Sequence, residues 1–233
     1  MINIERNFDQ ILSEMQSCLA QTVYAKKTLA LLPVSKGRTS EEILRLATHL
    51  KQKGIELAFG ENYFDEMFEK SVQLKDVGIK WHYLGRLQSR KIPDILNVAS
   101  VLHGVERVKE LQKISEFIVK NKQGPFQGFY VQVNISNEPA KGGIEPQGLE
   151  SLCDTVKDFN LGPFMLGLMG MAKNIGLVSP SVVKSQFESL RLLRDKYFPG
   201  KKLSMGMSDD FRLAIEQDTD IIRIGTKLFQ VGT

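Results

Sequence analysis

The run Leu31-Leu32-Pro33-Val34-Ser35-Lys36 places a lysine at the tip of an apolar segment, and Thr39-Ser40 then open a helical pattern. Burying an ammonium is costly. A lysine in that place therefore either carries its charge out to solvent or is held for its amine, because a partly desolvated amine is a nucleophile towards aldehydes. Towards the other end, Ser204–Asp210 (SMGMSDD) and Arg223–Thr226 (RIGT) each set a glycine and a hydroxyl at the end of an apolar run. Exposed backbone N–H groups in such turns, together with the hydroxyls of Ser208 and Thr226, suit a phosphate dianion. Alternatively, Ser208 only caps a helix and Gly225 only turns the chain.

The elements that would position these groups can be read from alternation. After an N-terminal helix at about 3–22, apolar runs at 28–35, 56–60, 80–85, 100–104, 128–136, 164–170, 202–206 and 220–225 read as eight strands. Helical patterns lie between them, most clearly at 40–54, 107–121 and 179–198. Ser40, with Glu41 and Glu42 behind it, reads as a helix N-cap, and Gly54 as a C-terminal stop. Several strands are continuous apolar runs, as expected where both sheet faces are covered. Eight βα units of this spacing predict an α/β fold, a single (β/α)8 TIM barrel with an extra N-terminal helix over 1–24 and the barrel over 25–233. A doubly wound open sheet is the alternative, but no GxGxxG follows the first strand.

In a barrel the active site lies at the C-terminal ends of the strands, commonly with phosphate held after strands seven and eight. That rule selects Lys36, Glu61-Asn62, His82, His103, Asn134, Met207-Ser208, Arg223 and Gly225-Thr226. His103 either lines the mouth or packs beneath it, and Glu61 either pairs with a nearby base or acts in chemistry. Arg223 either faces a bound ring or pairs with Asp209 or Asp210. A phosphorylated aldehyde cofactor, pyridoxal 5′-phosphate (PLP) being the obvious one, accounts for the lysine and the cradle together. A Schiff-base aldolase acting on a sugar phosphate accounts for them equally.

The segments VSK (34–36), FGENYFDE (59–66), WHYLGRLQSRK (81–91), VNISNEPAKGGI (133–144), GLMGMA (167–172), SMGMSDDFRLAIE (204–216) and RIGTKLF (223–229) resemble the pyridoxal phosphate homeostasis protein family, in order along the chain. The resemblance implies an alanine-racemase-type barrel that holds PLP as a Schiff base on Lys36. It implies that Ser208, Gly225 and Thr226 hold the phosphate with Met207 alongside, that Arg223 faces the pyridine nitrogen, and that Asn62 lines the cofactor. His82 and Asn134 fall on matching strand ends. The implied role is cofactor buffering or delivery to PLP-dependent apo-enzymes, without robust catalysis. A racemase-like enzyme with weak one-base activity is the alternative, since the second domain that racemases add is not expected here. Gly37-Arg38, Arg90, Ala140-Lys141-Gly142-Gly143 and Gln230 depart from the usual family residues, which leaves the loops at 86–91 and 139–143 without an assigned role.

Composition excludes other classes. The 31 basic and 27 acidic residues are scattered, and no basic, aromatic-interleaved patch suggests nucleic acid. Cys18 and Cys153 are too few for a disulfide framework or zinc site. No signal peptide or apolar run of about 18 residues is present. A cytoplasmic monomer without metal is expected.

Overall fold

Alternation of side chains organises the sheet. In β8 (Ile221–Ile224), Ile222 and Ile224 join the large core between sheet and helices, while Ile221 packs against a separate small cluster with Val101, Tyr130 and Met169. Period-two patterning of this kind places one set of residues under helices and the other inside a closed sheet.

The computed structural model describes residues 3–25, 27–121 and 124–230. Its other strands are β1 (Ala30–Pro33), β2 (Ala58–Glu61), β3 (Lys80–Tyr83), β4 (Ala99–Val105), β5 (Gly128–Val133), β6 (Met165–Gly170) and β7 (Lys202–Ser204). All eight are parallel and run in the order β1-β8-β7-β6-β5-β4-β3-β2. A parallel bridge between Val34 and Gly60 joins β1 to β2 and closes the ring. The (β/α)8 barrel expected from the sequence is the fold observed.

The helices are α1 (Ile4–Ala20), α2 (Ser40–Gln52), α3 (Phe64–Gln73), α4 (Ile92–Leu96), α5 (Val108–Lys120), α6 (Leu149–Asp158), α7 (Pro180–Tyr197) and α8 (Phe211–Ile215). α1 buries Ile4, Phe8, Ile11 and Met15 at helical spacing and packs on α2 and α8. The N-cap of α2 is Thr39, not Ser40. Thr39 Oγ1 accepts from Glu42 N–H, and the Glu42 carboxylate accepts from Thr39 N–H, which makes a reciprocal capping box. Gly54 does end that helix, with φ of 66° just past its last turn. Two short 3-10 turns, Pro139–Lys141 and Pro146–Gly148, separate β5 from α6.

The interior of the barrel is polar. His82, His103, Gln132, Ser204 and Arg223 occupy it beside the small apolar cluster, and each of the last four is buried. Polar groups enclosed in this way must find partners, and their partners set the geometry of the site.

Candidate functional site

Lys36 lies two residues beyond Val34, at the junction of three strand ends. Val34 N–H donates to Ile224 O at 2.8 Å, and Ser35 N–H donates to Gly60 O at 2.8 Å. A Cβ on Gly225 would sit 3.3 Å from Val34 O, so the turn after β8 lies directly against the end of β1. The lysine and the candidate anion cradle are therefore side by side, because β1 closes onto β8. Lys36 itself is exposed. Its place is made by its neighbours, not by burial of its own amine.

The buried lysine here is Lys70. Its Nζ donates to Glu61 Oε2 at 2.7 Å, Glu66 Oε2 at 2.9 Å and Ser35 O at 2.9 Å. Ser35 Oγ also donates to Glu61 Oε2 at 3.1 Å. Glu66 accepts from Gly37 N–H at 2.9 Å, and its bonds to Lys70 and Gly37 hold its carboxyl below the ordinary range. The Ser35–Arg38 turn, with Gly37 at φ of 66°, is thus pinned from behind. Glu61 pairs with Lys70 and not with Lys36. Lys70 carries no sequence signal, since the pair forms only when α3 folds back on the end of β2.

The cradle consists of the turns after β7 and β8. Ser208 Oγ accepts from Lys227 N–H at 3.3 Å and ties them together. Among the described residues, the N–H groups of Ser208, Gly225 and Thr226 donate to no protein acceptor. Donors left free in a turn are what an anion needs. Gly206 makes the first turn possible: its φ is 96°, and a Cβ there would lie 2.7 Å from Ala214 Cβ. Asp210 accepts from Met207 N–H at 2.6 Å, and burial pushes its carboxyl up. Met207 is partly exposed at 37%.

Arg223 is 5% exposed and makes no ion pair among the described residues; Asp210 acts on it only at longer range. Burial lowers its pKa to about 10, so it remains a cation at neutral pH. Its Nη1 donates to Ser204 Oγ at 2.7 Å and its Nη2 to Gly170 O at 3.2 Å. Ser204 Oγ lies 2.9 Å from His103 Nδ1, and His103 Nε2 lies 3.1 Å from His82 Nδ1.

The direction of this chain follows from donor chemistry. A guanidinium only donates, so Ser204 Oγ accepts from Arg223. Among the described residues its own proton has one acceptor, His103 Nδ1. Desolvation keeps both imidazoles neutral, His103 well below its ordinary pKa and His82 at about 4. His103 therefore carries its proton on Nε2 and donates it to His82 Nδ1, which leaves His82 with Nε2–H.

A cavity of about 270 Å³ at the mouth is lined by Asn62, Arg86, Glu106, Gln132 and Lys141 among others. Asn62 Oδ1 is buried there without a hydrogen-bond partner, an acceptor free for a ligand. Arg86 and Lys141 bring the loops at 86–91 and 139–143 to this one cavity. Two expected residues lie elsewhere. Asn134 Nδ2 donates to Glu145 at 3.0 Å and its Oδ1 accepts from Ser136 at 3.3 Å, so it serves the β5 loop. His82 sits one layer below the mouth, faces the opposite end of the barrel and reaches Arg223 only through His103 and Ser204. His103 packs beneath the mouth, fully buried.

An amine at the end of β1, turns with free N–H donors beside it and a buried arginine on β8 are thus gathered at one end of a (β/α)8 barrel. Its backbone is that of the alanine racemase barrel. Alanine racemase of Clostridium difficile superposes with a TM-score of 0.67 at 15% identity, over 97% of this chain and 56% of that one.

Curated relatives specify it further. The pyridoxal phosphate homeostasis protein of Vibrio cholerae is 34% identical over 236 residues, covering 98% of this chain and 96% of its own. That of Pseudomonas aeruginosa is 32% identical over 233 residues, with the same coverage of 98% and 96%. The chain belongs to the pyridoxal phosphate homeostasis protein family. PipY of Synechococcus elongatus, in a structure with PLP bound, matches with a TM-score of 0.78 at 22% identity, over 98% of this chain and 100% of that one. No protein-family model matches the chain.

Proposed function

We propose that this protein binds PLP through Lys36 and serves PLP homeostasis in the cytoplasm, holding the cofactor and releasing it to PLP-dependent apo-enzymes, with the monomer as the working unit. The observation that carries the reading is the junction of Lys36 with the unpaired N–H groups of Ser208, Gly225 and Thr226. The residues fit the group: free donors for a dianion, an orphaned Asn62 Oδ1 and a buried cation on β8. PLP, when bound, supplies an aldehyde that condenses reversibly with amines and a ring that accepts electrons.

The chain's own residues determine how far that chemistry goes. Ser208 and Thr226 would hold the phosphate through their free N–H groups. Arg223, a cation at neutral pH, would disfavour a proton on the ring nitrogen if the ring lies beside it and so would weaken the electron sink. Lys36 presents its amine where a competing amine can reach, and exchange needs no proton removed from carbon. Those properties favour a carrier over a catalyst.

Titration of the purified protein with PLP tests this. A saturable visible band is expected, one equivalent per chain, and it should be absent in Lys36→Ala. Robust turnover of alanine or serine, lost in Lys36→Ala, would replace the carrier by a racemase-like enzyme. A colourless protein trapped by borohydride only with a sugar phosphate would replace it by an aldolase. Gel filtration reads the monomer.

A further inference from the structure

The barrel contains a second recess, at the N-terminal ends of its strands and opposite Lys36. It measures about 850 Å³, within the roughly 300–1,000 Å³ of small-molecule sites. Its walls are largely apolar, with Leu32, Ala58, Val101, Leu166 and Ile221 among them. Two polar side chains from the barrel interior also line it. One is Tyr130, only 1% exposed, whose hydroxyl has no hydrogen-bond partner among the described residues. The other is His82, whose Nδ1 is taken by His103 and whose Nε2–H has no protein acceptor among the described residues.

Neither atom is sealed from solvent, so each stands open to a ligand without a stranded-donor penalty. Both are donors. His82 is one because the chain from Arg223 fixes its tautomer. Tyr130 is one because burial holds its phenol protonated far above neutral pH, while its ring stacks on His103 at 4.6 Å. The ligand must therefore bring an acceptor. The rim adds charge: Lys27 is held by Asp218 and Asp220 at 2.7 and 2.9 Å, and Lys80 pairs with Glu56. Lys202 also lines the recess, is exposed, and makes no ion pair among the described residues. The rim charges balance, since Lys27 carries two carboxylates and Lys202 none, so the choice of an anionic acceptor rests on the two donors in the recess.

We propose that this lower recess is a second ligand site, taking a monocarboxylate with an apolar body, whose carboxylate accepts from Tyr130 Oη–H and His82 Nε2–H. The site is separate from the PLP mouth but joined to Arg223 through His82, His103 and Ser204.

The test uses 3-phenylpropionate as probe, with 3-phenylpropylamine as its charge-reversed counterpart, on the full chain with and without PLP. Ligand-observed NMR and calorimetry read binding. One saturable site for the carboxylate is expected in both states, with the amine at least about tenfold weaker. Tyr130→Phe removes one donor and keeps the ring, and should weaken binding about tenfold. Ala58→Phe fills the recess and should abolish binding; circular dichroism melting confirms that each variant is folded. No saturable binding, equal binding of the amine, displacement by PLP, or undiminished binding in both variants would each overturn the proposal. Because the apo protein is tested too, failure here is distinct from failure of the PLP reading.

Discussion

At the scale of single residues, the proposed carrier chemistry turns on Arg223, a buried cation on β8. It has no carboxylate partner within ion-pair distance among the described residues, and two of its five N–H donors go to Ser204 and Gly170. Arg223→Glu should therefore favour a protonated ring nitrogen and speed deuterium exchange at the α-carbon of alanine at least about tenfold, read by NMR in D2O with PLP present. Unchanged exchange in a variant that still binds PLP would mean Arg223 does not set the electron sink. Lys36, Ser208, Arg223 and Thr226 were legible as candidates because each stands at or just past the end of an apolar run. The His82–His103 contact was not readable: the residues are 21 apart in the chain and meet only through the register of β3 on β4. Tyr130 fell inside the apolar run at 128–136 with nothing to mark it as facing a recess.

At the scale of elements, the loop ends are held by specific devices. Gly206→Ala would force a side chain into a left-handed backbone position with its Cβ 2.7 Å from that of Ala214. A cost of about 1–3 kcal/mol is expected, with weaker PLP binding, both measurable by urea unfolding and PLP titration. Lys70→Met would leave the fully buried Glu61 carboxylate without its cation. Breaking a buried pair from one side costs about 3–5 kcal/mol. The double variant Lys70→Met/Glu61→Gln should recover a substantial part, because no charge is then stranded; equal losses in single and double variants would contradict this. The strands were legible because their apolar runs are uninterrupted. The exact cap of α2 was not, since Thr39 and Ser40 are both good caps and only the Glu42 carboxylate at N3 selects Thr39. α4 and α8 are too short to show a period.

At the scale of the whole molecule, the polar interior gives stability a pH dependence. His82 has a folded pKa of about 4, lowered first by desolvation, against 6.5 for the free side chain. As pH falls below about 6.5 the unfolded chain takes up a proton that the native state refuses, so native stability declines until pH nears 4. Between pH 7.5 and 5.0 this amounts to about 2 kcal/mol, and His103 adds to it in the same direction. His82→Gln should lose less stability over that interval than the parent in urea unfolding; an identical loss would show that His82 is not held neutral. The same interior column links the two ends of the barrel, with Lys36 at the rim of one. The most direct test of the account is borohydride reduction of the PLP-loaded protein followed by peptide mass mapping. One reduced pyridoxyl group, on Lys36, is expected. A group on Lys70, Lys141 or another lysine, with Lys36 unmodified, would contradict it.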